Sequence, residues 1–139
     1  MTLLDFPQDF MAESHEEFDD VSPKMEPIFA LLAEMDEKYK KMHPELKQGD
    51  LLYIFLSGSH QNYLGIGSLL EKETIKLAHE KGYRGLISSN TGKTSQELSD
   101  LYGFKTVLEI NYHSFTYQNA TPFSNIKDPL SCKLAVKLF

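Results

Sequence analysis

The feature that most constrains this sequence is a run of six consecutive apolar residues, Leu51–Leu56. A strand with one solvated face alternates apolar and polar residues, whereas an unbroken apolar run is typical of a strand that is buried on both faces. Strands of that kind occur in sheets whose two faces are both covered by helices. The run therefore predicts an α/β fold with helices packed against each face of a sheet.

Helix signals lie on both sides of this strand. Ser22-Pro23 is typical of a helix start and His43-Pro44 of a helix end. Between them, apolar residues recur at spacings of three and four: Met25, Ile28, Leu32, Met35, Tyr39 and Met42. Gly82 suits the position just after a second helix. The apolar face of that second helix is predicted to consist of Leu69, Leu70, Thr74, Leu77 and Ala78.

The remaining sequence predicts one more strand, a short helix and a final pair of strands. Residues 84–89 indicate a short strand, and residues 95–102 a helix with Leu98 and Leu101 inward, closed by Gly103. Alternating residues predict antiparallel strands at 106–112 and 134–138. The order of elements implies that the first two strands are parallel, with a right-handed crossover. We expect a mixed sheet of about four strands.

Charge divides the chain into an acidic beginning and a weakly basic remainder. Residues 1–50 contain 13 acidic side chains and five lysines, whereas residues 51–139 contain seven acidic and nine basic side chains. We expect residues 1–21 to be an irregular acidic lead-in with some buried aromatic residues (Phe6, Phe10 and Phe18), and residues 22–139 to form the domain. Residues 51–139 are therefore better suited than residues 1–50 to bind an anionic ligand. The net charge of -6 argues against a nucleic-acid binder.

Three absences from the sequence predict the cellular setting. No apolar run approaches the roughly 20 residues that a membrane span needs. The first ten residues lack the basic start and apolar stretch of a secretory signal. Cys132 is the only cysteine, which excludes an internal disulfide and a cysteine-based zinc site. We therefore expect no membrane partner and a reducing, cytoplasmic location.

The segment between the first strand and its helix carries two glycines, Gly65 and Gly67. Main-chain amides at a helix start are unpaired, and the helix dipole there favours negative charge. Glycine lets the main chain approach an anion closely and adopt positive φ. The segment thus suits a phosphate-bearing ligand. A tight turn can also use Gly-x-Gly for its geometry alone.

Spacing tests two familiar phosphate motifs. A dinucleotide-binding fingerprint needs a small residue three places after Gly67, where this sequence has Leu70. The tripeptide Gly92-Lys93-Thr94 follows a strand and precedes a helix, as in a P-loop. That motif needs glycine at position 87, where this sequence has Ile87. The sequence therefore does not match the dinucleotide-binding fingerprint, and a P-loop-like site stays open as a weaker alternative.

The order and spacing of these motifs resemble a known family. After the buried strand, the motifs are Asn62-x-x-Gly65-x-Gly67, Gly82, Ser95-x-x-Leu98-x-x-x-x-Gly103-Phe104, Tyr112-His113-Ser114-Phe115 and Pro122-Phe123. They resemble the acetyl-CoA-dependent N-acetyltransferases of the Gcn5-related superfamily. Within it, the chain is most similar to the arylalkylamine (dopamine-type) enzymes of invertebrates. The likeness runs from about residue 22 to the end of the sequence.

The resemblance implies how acetyl-CoA and the thioester are held. The pyrophosphate would lie on main-chain amides of residues 63–68, and the pantetheine arm would run where the two parallel strands separate. A backbone N–H in that gap would stabilise the oxyanion of the tetrahedral intermediate. The implied cofactor-binding residues are Phe55, Leu56, Ser57, Asn62, Tyr63, Leu64, Gly65, Ile66, Gly67 and Ser68.

The resemblance also implies direct attack by an amine, with a glutamate as base and two assisting hydroxyls. The hydroxyl pair falls on Thr91 and Ser95, although Ser95 also suits a helix cap. The glutamate of the family lies in an amino-terminal portion (a strand, two helices and two further strands) that has no counterpart here. The chain also departs from the family at Asn62, where arginine or glutamine is usual, and at Ser99, where many relatives have an acidic tyrosine.

The other residues with reactive side chains carry weaker signals. The histidines are scattered without the spacing of a metal site. His60 adjoins the glycine turn and could act as a base, and His113 could line an amine pocket, but solvated roles explain both. Cys132 is expected to be packed rather than nucleophilic.

Three functions stay open on this basis. The first is an N-acetyltransferase acting on a small amine. The second is an inactive acetyl-CoA-binding fragment or pseudoenzyme, which the missing base favours. The third is a nucleotide-binding domain built around Gly92-Lys93-Thr94. An uncovered sheet edge would also make a homodimer plausible.

Overall fold

The computed structural model describes residues 1–7, 23–60 and 62–139. A short 3₁₀ turn at Pro23–Met25 leads into the first α-helix. In chain order the elements are β1 (Thr2–Phe6), α1 (Glu26–Met42), β2 (Leu51–Leu56), α2 (Ile66–Glu80), β3 (Gly85–Asn90), α3 (Lys93–Leu101), β4 (Lys105–Asn111) and β5 (Ser131–Leu138). The expected helix cap at Ser22 and most of the acidic lead-in lie outside the described residues.

The strands form one mixed sheet in the order β1-β2-β3-β5-β4. β2 and β3 are parallel, as predicted from the crossover, and the other three pairings are antiparallel. Gly85 opens β3 at a point of very close approach, because a Cβ there would lie 2.2 Å from the carbonyl oxygen of Lys137 on β5. Only glycine tolerates that contact without a shift of the main chain.

β2 and β3 separate before either strand ends. Their ladder runs from Leu51 and Gly85 to Ile54 and Ser88 and stops there. Beyond that point each strand continues to pair with its outer neighbour: Leu56 with Thr2 on β1, and residues 89–90 with β5. The sheet is therefore split at its centre, at the carboxyl ends of its two parallel strands.

Helices cover both faces of the sheet, as the apolar run at β2 predicted. On one face, α1 and the segment after β4 enclose a core that includes Leu31, Met35, Tyr53 and Cys132. On the other face, α2 and the end of α3 enclose a second core that includes Ala78, Leu86 and Phe104. Alternate residues of β2 enter the two cores, since neighbouring strand residues point to opposite faces.

The structure corrects two expectations. The first residues are not irregular, because Thr2–Phe6 pairs antiparallel with β2 and makes a fifth strand. The predicted inward faces of α2 and α3 are also partly wrong. Thr74 and Ala78 are buried on α2 as expected, but Leu69 and Leu101 are 52% and 74% exposed. Polar residues that the pattern did not place inward are buried instead: Glu71 on α2, and Gln96 and Ser99 on α3.

Candidate active site

A cleft of about 410 Å³ opens where β2 and β3 separate. One wall consists of residues 54–59, which include the end of β2 and the residues that follow it. The other consists of residues 88–92, which include the end of β3. Helices α2 and α3 close the cleft from one face of the sheet, and their lining residues are Gly67, Glu71, Thr94, Ser95, Leu98 and Ser99. The split sheet and the starts of two helices thus meet at one opening, a common place for ligands in α/β proteins.

The glycine turn lies beside this cleft. Gly65 is the N-cap of α2 with φ of +83°, a left-handed conformation that favours glycine. The Tyr63 N–H donates to the carbonyl oxygen of His60 at 2.9 Å, so that donor is used within the turn. Among the described residues, no main-chain oxygen accepts a hydrogen bond from the amides of residues 64–68, and the first helical bond runs from the N–H of Leu69 to the oxygen of Gly65.

The start of α2 is tied to the end of α3 by a tyrosine. The Tyr102 hydroxyl lies 2.7 Å from the Ser68 hydroxyl and donates to the Ser68 carbonyl oxygen at 3.0 Å. The Ser68 side chain is therefore already engaged, and Tyr102 points toward the glycine turn. This contact fixes the orientation of the helix start without using the main-chain amide of Ser68.

The two predicted hydroxyl residues both line the cleft. Thr91 is exposed just after β3, and its carbonyl oxygen accepts a hydrogen bond from the Tyr112 hydroxyl at 2.5 Å. The Ser95 hydroxyl donates to the Gly92 carbonyl oxygen at 2.8 Å and accepts from the Gly92 N–H at 3.4 Å. Ser95 therefore caps the start of α3 and faces the cleft at the same time.

A buried polar network lies where the two strands part, and the sequence did not reveal it. The Ser88 hydroxyl is 3.1 Å from Oδ1 of Asn90 and 3.4 Å from the Ile54 carbonyl oxygen. Asn90 Nδ2 donates to the Ser99 hydroxyl at 2.8 Å. Gln96 Nε2 bonds the carbonyl oxygens of Asn90 and Ser131. These bonds hold β3, α3 and β5 in place behind the cleft.

Glu71 is a buried carboxyl in the cleft wall, 5% exposed. Burial raises the pKa of Glu71 above its ordinary value. Its spacing was the available signal, because a residue four places after Gly67 lies one turn further on the same helix face. The apolar pattern predicted that Leu70, and not Glu71, lies inward, because inward positions are usually apolar.

The other residues singled out from the sequence lie elsewhere. Cys132 is fully buried, as expected, and burial raises the pKa of its thiol to about 12. His60 is exposed, and its Nδ1 accepts from the Asn62 N–H at 3.3 Å. His113 is also exposed, outside the described lining of the cleft. Lys93 of the P-loop-like tripeptide pairs with Asp128 at 3.2 Å.

Two further features are absent from the described residues. They include no group of three or more histidine, cysteine or acidic side chains arranged to hold a metal ion. Within residues 1–7, 23–60 and 62–139, no helix combines the length and apolarity needed to cross a membrane.

Known proteins share this architecture. No family model matches the chain. It is 22% identical over 115 residues to the β-alanyl-bioamine nonribosomal peptide synthetase ebony of Drosophila melanogaster, covering 78% of this chain and 13% of that protein. The C-terminal condensation domain of Ebony in complex with β-alanyl-dopamine superposes with a TM-score of 0.76 at 20% identity, over 86% of this chain and 59% of that one. Arylalkylamine N-acetyltransferase 2 from Aedes aegypti gives 0.74 at 22% identity, over 98% and 64%.

These similarities establish the fold. The chain has the fold of the Gcn5-related N-acetyltransferases, as the sequence resemblance implied. It spans 59% and 64% of the length of the two solved proteins, so it corresponds to a part of each.

Proposed function

We propose that this chain transfers an acetyl group from acetyl-CoA to a small arylalkylamine. The observation that carries the proposal is the split between β2 and β3, with the free amides of residues 64–68 beside its opening. Such a gap offers main-chain groups to an extended, amide-bearing ligand, and the helix start offers donors to its phosphates. Acetyl-CoA has both parts, a pyrophosphate and a pantetheine arm.

The residues present fit this ligand. A Cβ built at Gly67 would meet nothing within 4 Å, so the space over the start of α2 is open. Leu56 and Ser57 bring the main chain of β2 to the gap, and a backbone N–H in this region would polarise the thioester carbonyl.

Two other functions compete with this one. The first alternative is a non-catalytic acetyl-CoA-binding piece. The chain spans less than two thirds of the length of the neighbouring structures, so this alternative holds if catalysis needs a segment that only the longer proteins have. The similarity to the Ebony condensation domain favours an acyl donor other than acetyl-CoA, because that structure holds β-alanyl-dopamine. Both alternatives keep the same cleft.

A ligand panel tests the proposal. Saturating acetyl-CoA or CoA, at about 100 times the dissociation constant, is expected to stabilise the chain by about 2.7 kcal/mol and to raise the melting temperature by roughly 8 °C. ATP at equal concentration is expected to leave it unchanged. Thermal melts followed by thiol release with phenethylamine-type amines measure both steps. A shift with ATP alone would instead favour the site at Gly92-Lys93-Thr94, and binding without turnover the non-catalytic alternative.

The hydroxyl pair gives a separate prediction. Replacing Thr91 and Ser95 together by alanine is expected to lower kcat by about 10- to 100-fold, because assisting proton donors and acceptors contribute in that range. The affinity for acetyl-CoA should stay within about threefold, since the proposed phosphate contacts are main-chain amides. Steady-state kinetics and calorimetry measure the two quantities.

The matched control is the pair Thr91→Ser and Ser95→Thr, which keeps both hydroxyls. It is expected to retain most of the activity. Ser95→Ala should also cost about 1 kcal/mol of stability through the lost contact with Gly92. Unchanged turnover in the double alanine variant would show that the pair is structural.

A further inference from the structure

Asp36 is an unusual residue for the interior of this fold. It lies on α1, is 8% exposed, and faces the core between α1 and the sheet. Its Oδ1 atom has no hydrogen-bond partner among the described residues. A buried carboxyl oxygen without a partner costs free energy, so a purely structural position would favour an apolar or amide side chain.

Burial favours the neutral form of Asp36 more strongly than its neighbours favour the charged form. Burial raises the pKa of Asp36 to about 7, although the charge of Lys40 and a hydrogen-bonding interaction with Tyr53 both lower it. Lys40 lies one turn further on α1, Tyr53 faces Asp36 from β2, and Cys132 faces it from β5. Burial also raises the pKa of Tyr53 and Cys132, so both stay uncharged near neutral pH. Of Asp36, Tyr53 and Cys132, Asp36 is thus the group that gains or loses a proton near neutral pH.

A hydroxyl path links this carboxyl to the cleft. The Tyr53 hydroxyl donates to the Ser89 hydroxyl at 3.3 Å, and the two residues lie on the neighbouring strands β2 and β3. Ser89 lines the cleft, one residue beyond the last ladder pair at Ser88. Asp36 and Tyr53 are outside the described lining, so Ser89 is the point at which the path reaches the opening. Hydroxyl hydrogens rotate, so each member of the path can donate in either direction.

We propose that Asp36 is the terminal proton acceptor for the amine, reached through Tyr53 and Ser89. This inference rests on the proposed acetyl transfer and names a proton acceptor for it among the described residues. Asp36 acts through its neighbours and touches no substrate; it is a positioning and proton-storing residue. Ser89 is the member of the path that contacts the amine.

The proton balance of the step is complete. An ammonium N–H bond breaks, its electron pair stays on nitrogen, and the proton passes to Ser89. The Ser89 proton moves to Tyr53, and the Tyr53 proton to the Asp36 carboxylate. The amine then attacks the thioester carbonyl: a C–N bond forms, the C–S bond breaks, and the second nitrogen proton leaves with the thiolate as CoA thiol. Asp36 afterwards returns its proton to solvent by the same path.

The test compares Asp36→Asn with Tyr53→Phe, each of which interrupts the path at a different residue. Both are expected to lower kcat by about 100-fold at pH 7.5, within the usual range for loss of a general base. Both should bind acetyl-CoA within about twofold of the wild type. In wild type, kcat/KM should fall on the acid side of an apparent pKa near 7, and Asp36→Asn should abolish that inflection for the same amine. A structural role would not move the pH profile.

Two variants serve as controls. Glu37→Gln neutralises the exposed neighbouring carboxyl on α1, and Tyr83→Phe removes a hydroxyl that bonds Asp5 away from the cleft. Both are expected to keep wild-type turnover. A wild type that turns over amines while Asp36→Asn and Tyr53→Phe leave kcat within threefold would overturn the path and leave the proposed function standing. A wild type that acetylates no amine would overturn both the path and the proposed acetyl transfer, whether or not it binds acetyl-CoA.

Discussion

Replacing Gly67 by valine is expected to abolish the binding of CoA and acetyl-CoA without weakening the folded chain. Gly67 lies in the first turn of α2 and lines the cleft, and a Cβ there would meet nothing within 4 Å. The free protein therefore accommodates the side chain, and valine is a better helix former than glycine by a few tenths of a kcal/mol. The ligand, by contrast, would lose its approach to the main chain. We expect the dissociation constant to rise at least about 100-fold, or roughly 3 kcal/mol.

The variant separates a ligand site from a turn that is only structural. Gly65→Ala is expected to lower the stability of the folded chain by about 1 kcal/mol, because a φ of +83° strains any residue with a Cβ. Glu73→Val places the same side chain on an exposed position of α2 outside the described lining, and should bind CoA normally. Calorimetry and thermal melts measure both properties. Wild-type affinity in Gly67→Val would exclude the start of α2 as the phosphate site.

Local signals in the sequence were enough to predict the central part of the fold. The apolar run at β2, the glycine turn and the stop at Gly82 each depend on neighbouring residues alone, and together they define one strand–helix–strand unit. Parallel pairing and its hand then follow from general rules of connection. The separation of β2 and β3 after Ile54 and Ser88 came from the family resemblance, since no residue pattern marks it.

The first strand was missed because its evidence is not local. Thr2–Phe6 is short and carries Asp5 inside an acidic segment, which favours a solvated interpretation. Its partner, β2, begins some 50 residues later, so the pairing depends on contacts distant in sequence. Phe6 is almost fully buried against Tyr39 and Tyr53, as expected, but one buried aromatic residue does not by itself indicate a strand.

The polar residues of the site were missed for a different reason. Periodicity locates inward positions by their apolar residues, so an inward carboxyl or amide is assigned to the surface. Glu71, Gln96, Ser99 and Asp36 all break that rule, and all four lie in or behind the cleft or in the core next to it. Proteins tend to violate local consistency where function requires it. Conflicts between residue type and helix face are therefore the signal to look for.

The last prediction concerns the stability that Asp36 costs the fold. With a pKa of about 7 in the folded chain against an ordinary 3.8, the folded state keeps a proton between these pH values that the unfolded state has lost. Wild-type stability therefore falls as pH rises through this window and is lowest above pH 7. At about 1.36 kcal/mol per unit, the loss is roughly 4 kcal/mol. Asp36→Asn is expected to lack this fall and to be more stable than wild type by up to that amount at pH 8.

Urea unfolding of both chains at pH 4 to 8 measures the difference directly. Glu71 also has a raised pKa, but it is present in both chains, so the difference between the two curves isolates Asp36. Asp50→Asn is the control of opposite sign. The Lys47 N–H and Arg84 hold the pKa of Asp50 low, so its loss should destabilise the chain at neutral pH and matter little in acid. Parallel curves for wild type and Asp36→Asn would show that the pKa of Asp36 is the same in the folded and unfolded chains, which would contradict this prediction. A convergence at pH 4 that widens toward pH 8 would show that the fold retains a destabilising carboxyl, as a residue kept for proton transfer would be.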